Sequence, residues 1–178
     1  MYRSISGSKD RGSYPKMRNC SSDQVARFAR RVQADDERLA QLVSPILSRR
    51  EIETAKGPDL AKVVALLKDR ASSLPQLADE AMLFYATDIP GAGPIDPLAL
   101  EGLRLLKERL AGVAWERAAI GAAIKDVVKA TGLKMPQLAM PLRQVVTGRT
   151  QTPSIDAVLE LLGRETVMLR LASHLEAD

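Results

Sequence analysis

Apolar residues recur every three to four positions along most of this chain, which is the spacing of one face of an α-helix. Capping residues and helix breakers divide this pattern into about nine predicted helices. Their approximate ranges are 24–32, 35–47, 60–71, 74–85, 97–111, 115–131, 142–146, 153–162 and 164–175. No stretch alternates apolar and polar residues as a half-buried strand does, and no internal repeat is present. The pattern therefore predicts an all-α fold.

Prolines and glycines mark the predicted helix boundaries. Pro45 is expected to kink or end the helix that contains it. Pro141 and Pro153 lie where two further helices are predicted to start, because proline is tolerated in a first helical turn. Gly132 and Gly148 are expected to end the helices before them, Gly132 in a left-handed conformation.

Residues 87–97 form the strongest break in the chain, with three prolines and two glycines in eleven residues. Such a segment interrupts regular structure, so we predict two helical subdomains, at residues 21–90 and 91–178. Residues 1–20 are rich in Ser, Gly, Lys and Arg and show no apolar periodicity, which predicts a mobile basic tail. A basic RNA-binding arm is the alternative, but the segment has neither dense arginines nor regularly spaced aromatic residues.

Composition agrees with a packed helical protein, since 46% of the 178 residues are hydrophobic, 27% are charged and only 3% are aromatic. The net charge of +4 is typical of nucleic-acid-binding proteins. However, residues 1–33 hold eight Lys/Arg and two acids, whereas residues 34–178 hold eighteen Lys/Arg and twenty acids. Whole-chain charge therefore says little about the folded part, and a partner has to be argued from local patches.

The sequence contains no recognisable catalytic or metal-binding pattern. It has no glycine-rich phosphate loop after a strand, no GxSxG and no zinc-ligand spacing. Cys20 is the single cysteine, and His174, the single histidine, is expected at the end of the last helix. No apolar run has the length of a membrane span, and no signal peptide is evident. We expect a cytoplasmic protein with no membrane contact that is not an enzyme on its own and has no catalytic residue and no metal ligand.

The segment 134–153 has the features of a recognition element. Its basic residues Lys134, Arg143 and Arg149 have no acidic residue between them, and a short polar loop follows. Single-stranded RNA loops are bound through base edges and through stacking on flat or apolar surfaces, and Arg143 is able to pair with a base edge or a phosphate through two parallel hydrogen bonds. The alternative is that Arg143 is a solvated helix residue and Thr152 only caps the next helix. The residues alone leave both interpretations open.

Several short motifs follow one another in the last third of the chain. They are Gly132-Leu-Lys134, Pro141-Leu-Arg143, Thr147-Gly148, Thr152-Pro153, Leu161-Leu-Gly-Arg-Glu165 and Leu169-Arg-Leu171. Gly57-Pro-Asp-Leu60, Leu66-Leu-Lys-Asp-Arg-Ala71 and Trp115 precede them. In this order the motifs resemble the C-terminal end of bacterial glutamyl-tRNA synthetases, which are class I enzymes. The resemblance covers roughly residues 35–173 and is most specific over residues 132–171.

The resemblance implies an all-helical region that recognises the tRNA anticodon. In that family a separate N-terminal Rossmann-type domain handles ATP, magnesium, glutamate and the acceptor end of the tRNA. Neither the HIGH-like nor the KMSKS-like signature of class I synthetases occurs in this chain. We therefore expect a synthetase truncated to its anticodon-binding part, monomeric, without a cofactor of its own, and bound to the anticodon arm of tRNA-Glu but not to DNA.

The resemblance also implies roles for individual residues. Arg143, Thr152, Pro153 and Ile155 are expected to contact anticodon bases. Met140 stands where some family members have a polar base-contacting residue. Its thioether packs against a base but offers little hydrogen bonding.

Three basic residues complete the predicted interface. Arg70 is the residue expected near the first anticodon base, and Lys134 and Arg149 are expected to hold phosphates of the anticodon arm. Two other classes of function remain open. One is a helical protein-interaction or scaffold module that binds no RNA. The other is a helix-turn-helix DNA binder, which is weaker because the basic residues of the folded part do not gather on one helix.

Overall fold

The computed structural model describes residues 35–86, 89 and 93–175. Within them the chain forms eight α-helices, two short 3-10 helices and no strand, which confirms the all-α fold and is close to the predicted helix count. The α-helices are α1 (Asp36–Arg49), α2 (Leu60–Leu67), α3 (Leu74–Ala81), α4 (Pro97–Ala111), α5 (Arg117–Thr131), α6 (Met135–Thr147), α7 (Ile155–Leu162) and α8 (Arg164–Leu175). The 3-10 helices are Thr54–Lys56 and Met82–Phe84. The predicted tail and the first predicted helix lie outside the described residues.

Helices α1, α2 and α3 pack against one another and form what we call the N-terminal helical group, residues 35–86. Side chains cap two of its helices. The Asp59 carboxylate accepts a hydrogen bond from the amide two residues later (2.9 Å), and the Ser73 hydroxyl accepts one from the amide three residues later (3.3 Å). Such caps satisfy amides that have no partner within the helix. The Ser73 cap lies at the end of the turn between α2 and α3, which contains Arg70.

Helices α4 to α8 form the C-terminal helical group, residues 93–175, in which α4 packs against α5, α6 and α8, and α5 packs against α7. Gly102 allows α4 and α6 to approach closely, because a Cβ atom there would lie 3.0 Å from the side chains of Leu133 and Leu138. Buried apolar residues of both groups form one cluster. The division into two subdomains at residues 90 and 91 stays a prediction. No helix of the described part is long and apolar enough to cross a membrane.

One predicted helix start is wrong at Pro141. Helix α6 begins at Met135 and continues through Pro141 to Thr147, instead of starting at about residue 142. A proline inside a helix removes one backbone hydrogen bond. Here the fully buried Leu138 and Leu142 lie on either side of the proline, and the burial of their side chains offsets that loss.

The structure also bears on two further proline predictions. Helix α7 begins at Ile155 with Ser154 at its N-cap, so Pro153 precedes the helix instead of opening it. The backbone of Ser154 is extended (φ −51°, ψ 125°), which delays the helix start. Pro45 does not end α1, which continues to Arg49, and the predicted alternative, a kink at Pro45, stays a prediction.

The helix ends predicted at Gly132 and Gly148 are confirmed. Gly132 ends α5 with φ 71° and Gly148 ends α6 with φ 68°, both in the left-handed region that residues with a Cβ atom rarely adopt. Because Gly148 reverses the chain after α6, the polar loop at residues 149–154 returns toward the side chain of Arg143.

Candidate nucleic-acid interface

An open pocket of about 360 Å³ lies beside the C-terminal half of α6. Its lining residues are Arg70, Met140, Arg143, Thr150, Gln151 and Thr152. Arg70 belongs to the N-terminal helical group, and the others belong to α6 and the loop that follows it. Four of the residues for which the sequence predicts an RNA contact therefore meet in one place, although Arg70 is far from the rest in sequence.

The pocket combines positive charge with an apolar surface. Two of its six lining side chains are guanidinium groups and none is a carboxylate, so it attracts anionic groups. Met140 and Arg143 are three residues apart on α6 and lie on the same face. The Met140 side chain is 48% exposed, and its thioether supplies a polarisable surface for a flat ring.

The side chain of Arg143 is fixed by a hydroxyl group. Its Nε donates a hydrogen bond to Oγ1 of Thr152 (3.1 Å), and this hydroxyl donates to the carbonyl oxygen of Pro153 (3.1 Å). Thr152 is buried, so its position is set by packing. Within the described residues the two terminal nitrogens of Arg143 have no hydrogen-bond partner. They remain able to donate in parallel to a planar group with two acceptors.

The loop that supplies Thr152 is anchored at its first residues. The buried hydroxyl of Thr147 donates to the carbonyl oxygen of Arg143 (2.7 Å) and accepts from the amide of Arg149 (3.3 Å). The amide of Gly148 donates to the carbonyl oxygen of Gln144 (2.8 Å). The last turn of α6 and the loop are therefore bonded to each other on both sides of the left-handed glycine.

Arg149 has an intramolecular partner that the sequence did not predict. One terminal nitrogen of its guanidinium donates to the backbone carbonyl oxygen of Asp79 in α3 (2.8 Å). The Asp79 carboxylate in turn pairs with Arg50 at 2.5 Å. Arg149 thus connects the loop after α6 to the N-terminal helical group, and its predicted phosphate contact stays a prediction.

Besides Arg149, three of the predicted residues do not line the pocket. Pro153 and Ile155 are buried behind Thr152 and offer little apolar surface to a ligand. Lys134 is exposed at the start of α6, where its backbone amide donates to the Gln137 side chain (2.7 Å). Their predicted base and phosphate contacts stay predictions.

Sequence reasoning assigned no role to Arg170, which contacts α6 at Val146. It is only 9% exposed, and its guanidinium donates to three backbone carbonyl oxygens, those of Val146 (2.7 Å), Ala86 (2.8 Å) and Leu83 (3.3 Å). Burial lowers the pKa of Arg170 to about 10, so the group is still protonated at neutral pH. The available signal was its place on the buried face of α8, where Val167 and Leu171 are apolar.

The other pockets of the described part suit a nucleic acid less well. One, of about 800 Å³, has Arg49 as its only basic lining residue. Another, of about 650 Å³, has Asp59 and Glu160 among its lining residues together with Lys62 and Arg117. Its carboxylates repel a polyanion. Among the described residues no group of His, Cys, Asp and Glu side chains is placed to hold a metal ion. The pocket at Arg143 is therefore the best candidate site.

Comparison with known proteins places residues 38–175 within the sequence profile of a family described as the anticodon binding domain. The curated relatives include glutamate–tRNA ligases from Ralstonia nicotianae, 49% identical over 79% of this chain, and Thiobacillus denitrificans, 50% identical over 80%. A third, from Azoarcus sp., is 48% identical over 80% of this chain. The match spans about a third of the length of these relatives, 31% or 32%.

Solved structures share the fold. A glutamate–tRNA ligase from Elizabethkingia meningosepticum, solved with its amino acid, superimposes with a TM-score of 0.69 over 87% of this chain and 30% of its own. A glutamate–tRNA synthetase from Elizabethkingia anophelis gives a TM-score of 0.70 over 87% and 31%. Both are 19% identical to this chain, so the likeness concerns the helical architecture.

Proposed function

This chain belongs to the anticodon-binding domain family, and we propose that it binds the anticodon arm of a tRNA through the pocket at Arg143. The observation that supports the proposal is the composition of that pocket. Two guanidinium groups, an exposed thioether, a side-chain amide and two hydroxyl groups surround it without a carboxylate. Unpaired bases offer flat faces and edges with several hydrogen-bonding groups, and their phosphates are anionic. The pocket has a complementary group for each of these features.

The proposed partner is tRNA-Glu, because the curated relatives that match this chain are named glutamate–tRNA ligases. We propose that the chain acts as a monomeric binding module in the cytoplasm and needs no cofactor to bind RNA. Attachment of glutamate to tRNA with ATP and magnesium is proposed for the complete parent enzyme, in a catalytic domain outside the matched third. Duplex DNA is not the proposed ligand, because an unstacked base reaches such a pocket more readily than a paired one.

Arg143 is proposed to select a base. Since Thr152 holds its Nε, the two terminal nitrogens present a fork whose orientation is set before RNA arrives. Preorganisation of this kind reduces the entropy lost on binding. Met140 is proposed to pack against the face of a base, and Gln151 to donate to or accept from its edge. Arg70 approaches the same loop from the N-terminal helical group.

Binding of an RNA stem-loop with the sequence of a glutamate tRNA anticodon arm tests the proposal. We expect saturable binding that weakens with salt, and weaker binding of a stem-loop with the same stem and scrambled loop bases. Arg143→Ala is expected to weaken binding of the first stem-loop about tenfold, because hydrogen bonds from a charged group are lost. Lys134→Gln is expected to reduce the salt dependence by about 0.7 in log–log slope if this residue holds a phosphate.

A matched pair of variants isolates the role of the hydroxyl at residue 152. Thr152→Val removes the acceptor for Arg143 and is expected to weaken binding severalfold, whereas Thr152→Ser retains the hydroxyl and is expected to bind nearly as well as the unchanged chain. Equal affinity for the two stem-loops would contradict base recognition. No RNA binding by the unchanged chain would favour a protein-interaction module.

A further inference from the structure

The walls of the pocket come from different parts of the molecule. Arg70 lies on the turn after α2, in the N-terminal helical group, whereas Arg143 lies on α6, in the C-terminal helical group. The chain connects these groups through residues 87–92. The distance between the two guanidinium groups is therefore set by how the groups are held together, and by neither group alone.

Two arginines of the C-terminal helical group bond to the same short segment of the other group. Arg149 donates to the carbonyl oxygen of Asp79 (2.8 Å). Arg170 donates to those of Leu83 (3.3 Å) and Ala86 (2.8 Å). All three carbonyls belong to α3 or to the segment directly after it, where the last carbonyls of helical turns lack partners within the helix.

Arg170 also connects this segment to the helix that carries Arg143. The same guanidinium donates to the carbonyl oxygen of Val146 (2.7 Å), one turn beyond Arg143 on α6. Its planar fork thus joins three carbonyls in one fixed arrangement, which the single ammonium group of a lysine does not reproduce. Hydrogen bonds are directional, so these bonds fix orientation as well as distance, whereas apolar contacts tolerate sliding.

We propose that Arg170 and Arg149 are positioning residues, which hold the segment 79–86 against α6 and its following loop and thereby set the separation of Arg70 and Arg143 across the pocket. The two guanidinium groups then contact one RNA loop together. This inference rests on the proposed RNA binding, and it assigns Arg149 a role other than that of a phosphate ligand. Neither arginine has to touch the RNA.

Binding of the glutamate anticodon stem-loop tests the proposal through the effect of Arg70→Ala. In the unchanged chain this substitution is expected to weaken binding about tenfold. When Arg170→Gln or Arg149→Gln is already present, Arg70→Ala is expected to weaken binding less than about twofold. The reason is that Arg70 then no longer reaches the RNA loop that Arg143 contacts. Such loss of additivity is expected for coupled residues. Arg109→Gln, an exposed arginine substitution on α4 outside the pocket lining, is the matched control and should leave the tenfold effect intact.

The dependence of affinity on salt separates positioning from phosphate binding at Arg149. A phosphate ligand contributes about 0.7 to the log–log slope, so Arg149→Gln is expected to leave the slope close to that of Arg109→Gln. Arg70→Ala is expected to weaken binding more in Arg149→Lys than in Arg149→Gln, because the ammonium group of the lysine still donates to the Asp79 carbonyl. A reduced slope together with a full tenfold effect of Arg70→Ala in Arg149→Gln would overturn the proposal.

A measurement without RNA distinguishes failure of this inference from failure of the proposed function. Spin labels are placed at Asp69→Cys and Thr150→Cys, on the two walls, in a chain with Cys20→Ser. We expect a narrow distribution of label distances in this background and in Arg109→Gln, and a broader one in Arg149→Gln and Arg170→Gln. Unchanged distance distributions in both glutamine variants would contradict the inference.

If the unchanged chain binds no RNA, the proposed function fails and the role of the two arginines in recognition fails with it. A broadened distance distribution in the glutamine variants would still show that the arginines hold the walls together. If Arg170→Gln does not fold, the surface variant Arg149→Gln decides alone.

Discussion

At the scale of single residues, burial decides what an arginine does in this molecule. Arg143 is half-buried, with one nitrogen bonded to Thr152 and its terminal nitrogens available to the pocket. Arg170 is buried, and its donors are directed at backbone carbonyls of both helical groups. Desolvation of a buried charge is costly unless several hydrogen bonds compensate. The number of carbonyls around Arg170 therefore marks it as a structural group and Arg143 as the group able to bind a ligand.

The phenol of Tyr85 leads to a prediction about pH. Its hydroxyl donates to the carbonyl oxygen of Pro58 (2.8 Å), and burial, together with the negative charge of Asp59, raises the pKa of Tyr85 from 10.0 to about 12. The unfolded chain loses this proton near pH 10, and the folded chain keeps it until about pH 12. The contribution of Tyr85 to stability is therefore complete below pH 10 and is lost as the pH rises to about 12.

Ultraviolet absorbance of phenolate measures this shift directly. The chain contains three tyrosines, and we expect one of them to ionise well after the others while the protein stays folded. Tyr85→Phe is expected to remove the late step and to make stability less sensitive to pH between 10 and 12. Retention of the late step in that variant would assign it to another tyrosine and contradict the prediction.

At the scale of helices, the ends marked by Gly132 and Gly148 were predicted correctly, whereas the starts suggested by Pro141 and Pro153 were not. Glycines after α5 and α6 adopt positive φ, a preference that belongs to the residue itself. The effect of a proline depends on its surroundings. Pro141 is accommodated inside α6 because buried leucines precede and follow it, and Pro153 stands before α7 because Ser154 is extended. Sequence patterns report the first kind of preference but contain little information about the second.

Two helix-ending glycines provide a matched test. Gly132 has φ 71° and Gly112 has φ −103°, and a Cβ atom added at either position meets nothing within 4 Å. Gly132→Ala is expected to lower the free energy of unfolding by about 1–2 kcal/mol, because alanine is disfavoured in the left-handed region. Gly112→Ala is expected to raise it by about 0.5 kcal/mol, because alanine loses less backbone entropy on folding. Urea unfolding of both variants measures the difference, and equal effects would exclude a conformational cause.

At the scale of the whole molecule, most helices could be predicted from the sequence, but the contacts between side chains of different elements could be predicted only in part. Arg143 and Thr152 are nine residues apart, and the family resemblance implied only that both contact anticodon bases. Their mutual hydrogen bond was not predicted, and it depends on the reversal of the chain at Gly148. Arg70 was included only because of a family resemblance, since nothing local relates it to α6. The bonds of Arg170 to Leu83 and other distant carbonyls depend on the packing of both helical groups, so no sequence pattern contains them.

The joining of the two helical groups leads to a prediction about unfolding. Trp115 is the only tryptophan of the chain, its ring nitrogen donates to the carbonyl oxygen of Leu159 (3.2 Å), and the Arg164 guanidinium lies 5.4 Å from the ring centroid. Its fluorescence therefore reports on the C-terminal helical group, whereas far-ultraviolet circular dichroism reports on the helices of both groups.

We expect the fluorescence and dichroism transitions of the unchanged chain to coincide in urea. The buried apolar residues of both groups form one cluster, and Arg170 donates hydrogen bonds to backbone carbonyls of both groups. Coincidence of independent probes indicates a single cooperative unit. In Arg170→Gln the bonds that Arg170 makes between the groups are lost, so the dichroism curve is expected to broaden or to separate from the fluorescence curve. Transitions that already differ in the unchanged chain would instead favour two independently stable subdomains, as the proline- and glycine-rich segment at residues 87–97 predicted. Coincident transitions in both proteins would show that the apolar cluster alone is sufficient for cooperativity.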